Sequence, residues 1–388
     1  MKVRQYVFHP DSGWQSVPGS NVEGESIAPH FLLAFGSGND CNGDLLLGWR
    51  AKKFPGVPVL GCSTAGEIRD IEISNNTIIV TAVELISSRI KIEHAYVKSF
   101  RPQQVESGSF QAGKYLGAKF PAAGLRLLFV LSDGTRVNGS ELVAGLKAGV
   151  GNLVPITGGL AGDGKRFSET QVIVNDRYGP GLIGAIGFYG EQLEVGYGSA
   201  GGWDPFGPER RITRSRENVL YELDGRSALS LYKEYLGEYA QDLPASGLLF
   251  PLSLRDDSGH RVVRTLLGVN EAEQSMTFAG NLPEGAYVRL MRANLERLIE
   301  GAFDAARLSQ QGSDVSPELA LLISCVGRRL VLQQRAEEEL EEVREVLGKK
   351  AALTGFYSYG EISPLTGSTD CTFHNQTMTI TTLGERAP

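Results

Sequence analysis

Gly355-Phe356-Tyr357-Ser358-Tyr359-Gly360-Glu361-Ile362, late in the chain, has a close upstream copy in Gly61-Cys62-Ser63-Thr64-Ala65-Gly66-Glu67-Ile68. Both read G-x-x-x-x-G-E-I after a short apolar lead-in, Ala351-Ala352-Leu353-Thr354 in one and Val57-Pro58-Val59-Leu60 in the other. A looser third version runs Val154-Pro155-Ile156-Thr157-Gly158-Gly159-Leu160-Ala161-Gly162-Asp163. All three close on a glycine followed by a carboxylate. Glycine at the end of an apolar strand lets the backbone turn sharply and lets a neighbour approach closely. The expectation is three strands that each end in a tight turn, with an acid fixed just beyond it.

The same order of elements surrounds each copy. An apolar run stops at a glycine (residues 30–38, 125–134 and 319–327), and helical spacing follows (44–54, 138–150 and 330–347). Then come the glycine-acid strand and a further apolar strand (77–85, 171–174 and 377–383). Continuous apolar runs read as strands buried on both faces. Irregular spacing between the copies favours duplicated βαβ-type units over a solenoid. Between copies two and three the pattern changes. Residues 210–223 alternate and 227–239 have helical spacing. Residues 248–252 and 261–267 read as strands, and 287–298 lead into a helix. The expected fold class is α/β: repeated βαβ-like units forming two mixed-sheet modules, 28–225 and 226–383, with a ligand cleft between them.

The 388 residues suffice for two or three domains. A net charge of −7 argues against a general nucleic-acid binder, which would present a basic patch. Glycine is abundant, 48 residues, against a typical fraction of about 7%. With no G-X-Y period, that excess belongs to turns and tight packing. Cys41, Cys62, Cys325 and Cys371 show no CxxC spacing, as expected of a reduced, cytoplasmic protein without a zinc site. The N-terminus lacks the apolar core of a signal peptide. No apolar run approaches the roughly 18 residues that spanning a bilayer requires.

GCSTAGEI, the run Gly158–Gly164, Leu223-Asp224-Gly225 with Ala228 and Tyr232, Ser324-Cys325-Val326-Gly327-Arg328, GFYSYGEI and Phe373-His374-Asn375-Gln376-Thr377 together resemble the FIST family. The likeness spans residues 28–383 as paired N- and C-terminal modules. It implies an intracellular sensor of bacterial signal transduction, with small ligands, amino acids among them. A stand-alone branch of the family is similar to haem proteins that sense nitric oxide and regulate a separate histidine kinase. This chain resembles that branch, because it carries no kinase, cyclase or receiver module. The implied cofactor is a non-covalent haem b, the implied partner a histidine kinase, and a homodimer is one expected assembly.

Candidate ligand contacts follow from the repeats and the family motifs: Cys62, Ser63, Thr64, Glu67, Asp163, Arg328, Tyr357, Tyr359, Glu361, His374 and Asn375. Glu67 and Glu361 occupy equivalent positions and could receive a ligand amine, or could instead accept local N–H bonds at a turn. Arg328 could hold a carboxylate bidentately. Cys62 with His374 as base lacks any nucleophile signature, so no enzymatic activity is expected. Of His9, His30, His94, His260 and His374, His94 shares a strand face with Ile90, Ile92 and Tyr96, which suits an axial haem ligand; His374 is the alternative. His260 follows a turn and is expected to be exposed. Residues 335–345 form a Glu-rich helix expected to present a solvated face.

Overall fold

Period-two burial in three strands shows how the repeats assemble. In the computed structural model, which describes residues 1–17, 26–37, 43–100, 107–255, 259, 261–313, 315–365 and 367–386, alternate side chains of these strands enter different cores. Phe31, Leu33 and Phe35, then Leu127, Phe129 and Leu131, then Leu319, Leu321 and Ile323 share one central cluster. The intervening residues face outward. Leu32 and Ala34 join a core beneath the first helix. Leu128, Val130, Ala320 and Leu322 join the core that also contains helical residues 142–146 and 340–347. Three sheets therefore enclose one apolar interior, with helices on their outer faces.

The elements of the first unit are β1 (Lys2–His9), β2 (Gly13–Ser16), β3 (Phe31–Gly36), α1 (Gly43–Lys53), β4 (Val59–Ser63), β5 (Glu67–Arg69), β6 (Glu72–Ser74), β7 (Ile78–Glu84) and β8 (Arg89–Tyr96). The second has α2 (Gly108–Ala118), β9 (Leu125–Ser132), α3 (Gly139–Val150), β10 (Ile156–Leu160), β11 (Val172–Val174), β12 (Arg177–Gly179), β13 (Leu182–Tyr189) and β14 (Leu193–Ala200). A different segment follows: β15 (Asp204–Arg216), β16 (Val219–Leu223), β17 (Arg226–Ser227), α4 (Ala228–Leu236), β18 (Leu252–Arg255), β19 (Arg261–Arg264), β20 (Leu266–Asn270), β21 (Ser275–Phe278) and β22 (Tyr287–Arg292). The third unit closes with α5 (Leu295–Ser309), β23 (Leu319–Cys325), α6 (Val326–Leu332), α7 (Glu338–Leu347), β24 (Ala352–Ser358), β25 (Gly360–Pro364), β26 (Cys371–His374) and β27 (Met378–Glu385).

Strand orders reveal a cyclic exchange. The three sheets run β12-β11-β4-β3-β7-β1-β2, β26-β25-β10-β9-β13-β8 and β6-β5-β24-β23-β27-β14. Each is built on a parallel pair, β3 with β4, β9 with β10 and β23 with β24. Each receives a hairpin from the next unit: β5–β6 joins the third sheet, β11–β12 the first and β25–β26 the second. The outer strand beside β13 comes from unit one and that beside β27 from unit two. In the first sheet β1 fills the corresponding place beside β7. Gly66, Gly162 and Gly360 mark the corners where the chain leaves one sheet for another. Mixed α/β architecture thus matches the expected class.

The segment from β15 to β22 forms its own eight-stranded sheet over a separate core that includes Leu229, Tyr232, Leu252 and Phe278. Part of the glycine excess is spent between α2 and α3. A Cβ on Gly145 would lie 2.0 Å from the Phe110 carbonyl oxygen, and one on Gly113 would lie 2.5 Å from that of Leu142. These helices pack backbone to backbone.

Three local expectations need correction. The helix expected over 330–347 is two helices, α6 and α7, because Gln333 adopts φ 52° and breaks the ladder. The strand expected at 248–252 is a short helical turn over Ala245–Leu249, with pairing beginning only at Leu252. The Glu-rich face is not wholly solvated, since Glu339 is fully buried. His260 and Cys41 lie outside the described residues.

Candidate functional site

At two corners the acid locks the hairpin closed. Glu67 is fully buried; it accepts Thr64 Oγ1 at 2.6 Å and Thr77 Oγ1 at 2.7 Å, joining the end of β4 to the start of β7. Glu361 repeats this in unit three, accepting Ser358 Oγ at 2.7 Å, Thr377 Oγ1 at 2.9 Å and the Thr377 N–H at 3.1 Å. Burial outweighs these bonds and raises both carboxyls, Glu361 to about 7. The corners also touch one another. Ala65 N–H donates to Tyr357 O at 2.8 Å, Tyr359 N–H to Leu160 O at 3.1 Å and Gly162 N–H to Ser63 O at 3.0 Å. The three motifs therefore converge through backbone bonds, and apolar side chains fill the space behind them. Phe35 and Phe356 stack there at 4.9 Å.

Several other candidate contacts are engaged inside the protein. Arg328 is fully buried and gives two bonds to Glu339, from Nε at 3.1 Å and Nη2 at 2.8 Å, with further bonds to the Leu298 and Gly201 carbonyls. Glu339 also accepts Ser324 Oγ at 3.0 Å and Tyr357 OH at 2.8 Å. That network joins α6, α7, β23 and β24 and leaves no open fork for a ligand. Cys62 is buried, and burial raises its thiol well above the usual range, which removes thiolate character. Ser63 Oγ accepts the Gln171 N–H at 2.9 Å. His374 Nε2 donates to Ser363 O at 3.1 Å, and burial lowers its ring to about 4. Asn375 is fully enclosed, and its carboxamide atoms have no partner among the described residues.

His94 is half-buried on β8, an edge strand, and burial with the charges of Arg177 and Lys119 lowers its pKa. His374 is bonded to a neighbouring strand. Neither ring is among the residues that line the two clefts described below.

The second corner is different because it opens. Asp163 accepts the N–H groups of Phe167, Ser168 and Glu169 at 2.8 to 3.0 Å and the hydroxyls of Ser168 and Tyr359. Its carboxyl is pulled down to about 2: burial opposes this, but the Tyr359 hydroxyl and the backbone N–H groups outweigh it. The looped chain carries Phe167 onto the Tyr359 ring, stacked at 4.4 Å. These two rings border a cleft of about 530 Å³. One further wall is the turn Gly134-Thr135-Arg136-Val137-Asn138 between β9 and α3. Asp133 shapes that turn by accepting the Thr135 and Arg136 N–H groups at 2.7 and 3.0 Å. The inserted segment adds Glu217, Asn218, Leu267, Phe278 and Ala279 to the lining. Arg136 and Glu217 are exposed, and among the described residues neither side chain has a partner. This cleft lies at the carboxyl end of the parallel pair β9 and β10, the usual setting for a small ligand in such sheets, and its lining mixes apolar and polar groups.

Residues 30–226 match the FIST N domain and residues 228–364 the FIST C domain. The chain belongs to the FIST family. It is also similar to the uncharacterized protein MJ1623 of Methanocaldococcus jannaschii, 25% identical over 236 residues, covering 54% of this chain and 45% of that protein. The chain therefore matches less than half the length of that curated relative. Among solved structures, cyanuric acid hydrolase from A. caulinodans aligns over 93% of this chain and 91% of its own, at 8% identity and a TM-score of 0.32, too low to carry an argument.

FIST domains are generally sensory domains of signal transduction that bind small ligands. The large cleft lies between the two matched FIST regions. Residues 134–138, Leu160, Phe167, Glu217 and Asn218 come from the first, and Leu267, Phe278, Ala279 and Tyr359 from the second. Of the sequence-derived candidates, Tyr359 lines this cleft and Asp163 supports it. Arg136 and Glu217 were missed. The signal for Arg136 was present: Ser132-Asp133-Gly134 ends a buried strand just before a helix. Glu217 had none, because its place in the same cleft as Arg136 depends on how the inserted sheet docks. Among the described residues no helix is long and apolar enough to cross a membrane.

Proposed function

We propose that this protein is a receptor for a small zwitterionic ligand of amino-acid type, held in the cleft between its two FIST regions. The observation that carries this is a pair of opposite charges, Arg136 and Glu217, that line the same cleft as the Phe167–Tyr359 stack and have no side-chain partner among the described residues. Arg136 suits the ligand carboxylate and Glu217 its ammonium, while the aromatic pair receives the apolar part. Because the two charges belong to different elements, a bound ligand bridges the inserted sheet to the second unit. Binding thereby favours one relative position of the walls, which an output protein can read. A separate histidine kinase is the partner that the family resemblance suggests. Haem b and nitric-oxide sensing fit this chain less well, since His94 and His374 do not open onto the cleft.

A thermal-shift screen of the common amino acids, followed by calorimetric titration, tests the proposal. One of them should stabilise the protein, by about 2.7 kcal/mol at a hundredfold excess over Kd. Arg136→Ala and Glu217→Ala should each weaken it roughly 10- to 100-fold, the range for a lost bond to a charged group. Stabilisation by haem but by no amino acid, or unchanged binding in both variants, overturns it.

A further inference from the structure

A second cleft, of about 300 Å³, lies on the other side of the bridge where Asn281 joins Asn138 and Glu141. Arg264 lines it and is only 5% exposed. Its guanidinium meets carbonyls alone: Nε donates to Asn281 O at 3.2 Å, and Nη1 to Val263 O at 3.1 Å and Phe373 O at 2.9 Å. Among the described residues it has no carboxylate partner, and Nη2 makes no hydrogen bond. An enclosed cation without an anion is costly and is ordinarily paired or hydrogen-bonded throughout.

The surroundings are shaped for this group. A Cβ on Gly280 would lie 2.9 Å from Nε and 3.0 Å from Cζ, so the guanidinium packs closely over this glycine. The Phe373 ring stands 5.9 Å from Cζ. The other charges bordering the cleft, Lys147 and Asp370, pair with each other. One positive charge is left over. Much of the remaining lining is apolar, with Val143, Leu254, Val262 and Pro283 among it.

We propose that this second cleft binds a small monocarboxylate with an apolar body, its carboxylate bonded to Arg264 Nη2 and its body against Val143 and Val262. One unpaired cation matches one negative charge, which favours a carboxylate over a phosphate dianion. The site is separate from the zwitterion cleft and does not depend on it.

Titration of the full-length protein with benzoate, monitored by calorimetry, tests this, with inorganic phosphate as the comparison. Benzoate should bind with one-to-one stoichiometry and phosphate should not. Arg264→Gln should weaken benzoate roughly 10- to 100-fold, as expected for a lost bond to a charged group. Ala144→Trp, an exposed position on α3 that borders the cleft, should block binding without disturbing the core. Arg136→Ala should leave benzoate binding unchanged, which separates this site from the other cleft. No benzoate binding at about 10 mM, a very weak threshold, overturns the assignment. So does tighter binding of phosphate, or full binding in Ala144→Trp.

Discussion

Replacing Glu361 by glutamine should flatten part of the pH dependence of stability. Buried in its corner, Glu361 has its carboxyl raised to about 7, mainly by burial and against the bonds from Ser358 and Thr377. The unfolded chain releases that proton near 4.5. Between these values the folded state holds a proton that the unfolded state has lost, so stability falls as pH rises. The contribution is complete below about 4.5 and gone above about 7. At 1.36 kcal/mol per unit it amounts to about 3 kcal/mol. Glutamine keeps the neutral shape and does not titrate. The unfolding free energy of wild type minus that of Glu361→Gln should therefore drop by about 3 kcal/mol from pH 4.5 to pH 8. Burial lowers the strand partner His374 to about 4, so its own contribution changes across much of the same window, and it cancels in the difference because both proteins carry it. Urea unfolding at half-unit pH steps measures the difference directly. A difference constant to within about 0.5 kcal/mol across the range would refute the idea that burial dominates this corner. It would instead fit an ionised carboxylate, the state that a ligand amine requires.

Other consequences are more direct. Arg328→Met should destabilise the protein by about 3–5 kcal/mol, because Glu339 is left buried and unpaired. Adding Glu339→Leu should recover much of that loss in the same urea titration; a double variant no better than the single would count against the ion-pair account. Asp163→Asn should speed hydrogen exchange at the Phe167, Ser168 and Glu169 amides and weaken ligand binding in the large cleft; unchanged exchange would mean that the loop is held otherwise. In the native protein at neutral pH, iodoacetamide should leave Cys62, Cys325 and Cys371 unmodified, since burial raises all three thiols. Rapid native labelling of Cys62 by mass spectrometry would reopen a nucleophilic role.

Sequence alone determined the strand-helix-strand repeats, the glycine-acid corners and the membership of α/β class. Those features are local: apolar runs, helical spacing and glycines express themselves within a few residues of chain. The Glu67 and Glu361 alternatives were both visible there, a ligand contact or a turn lock, yet choosing between them required knowing where Thr77 and Thr377 return. Only tertiary structure decided the cyclic exchange of hairpins, because strand partners are set by packing around a shared interior and not by neighbouring residues. It likewise assigned Arg328 to Glu339, and placed Arg136 and Arg264 in the lining of clefts with no carboxylate partner among the described residues. A charged side chain carries no mark in sequence of whether its counter-ion is already inside the protein; that depends on which distant segment folds against it.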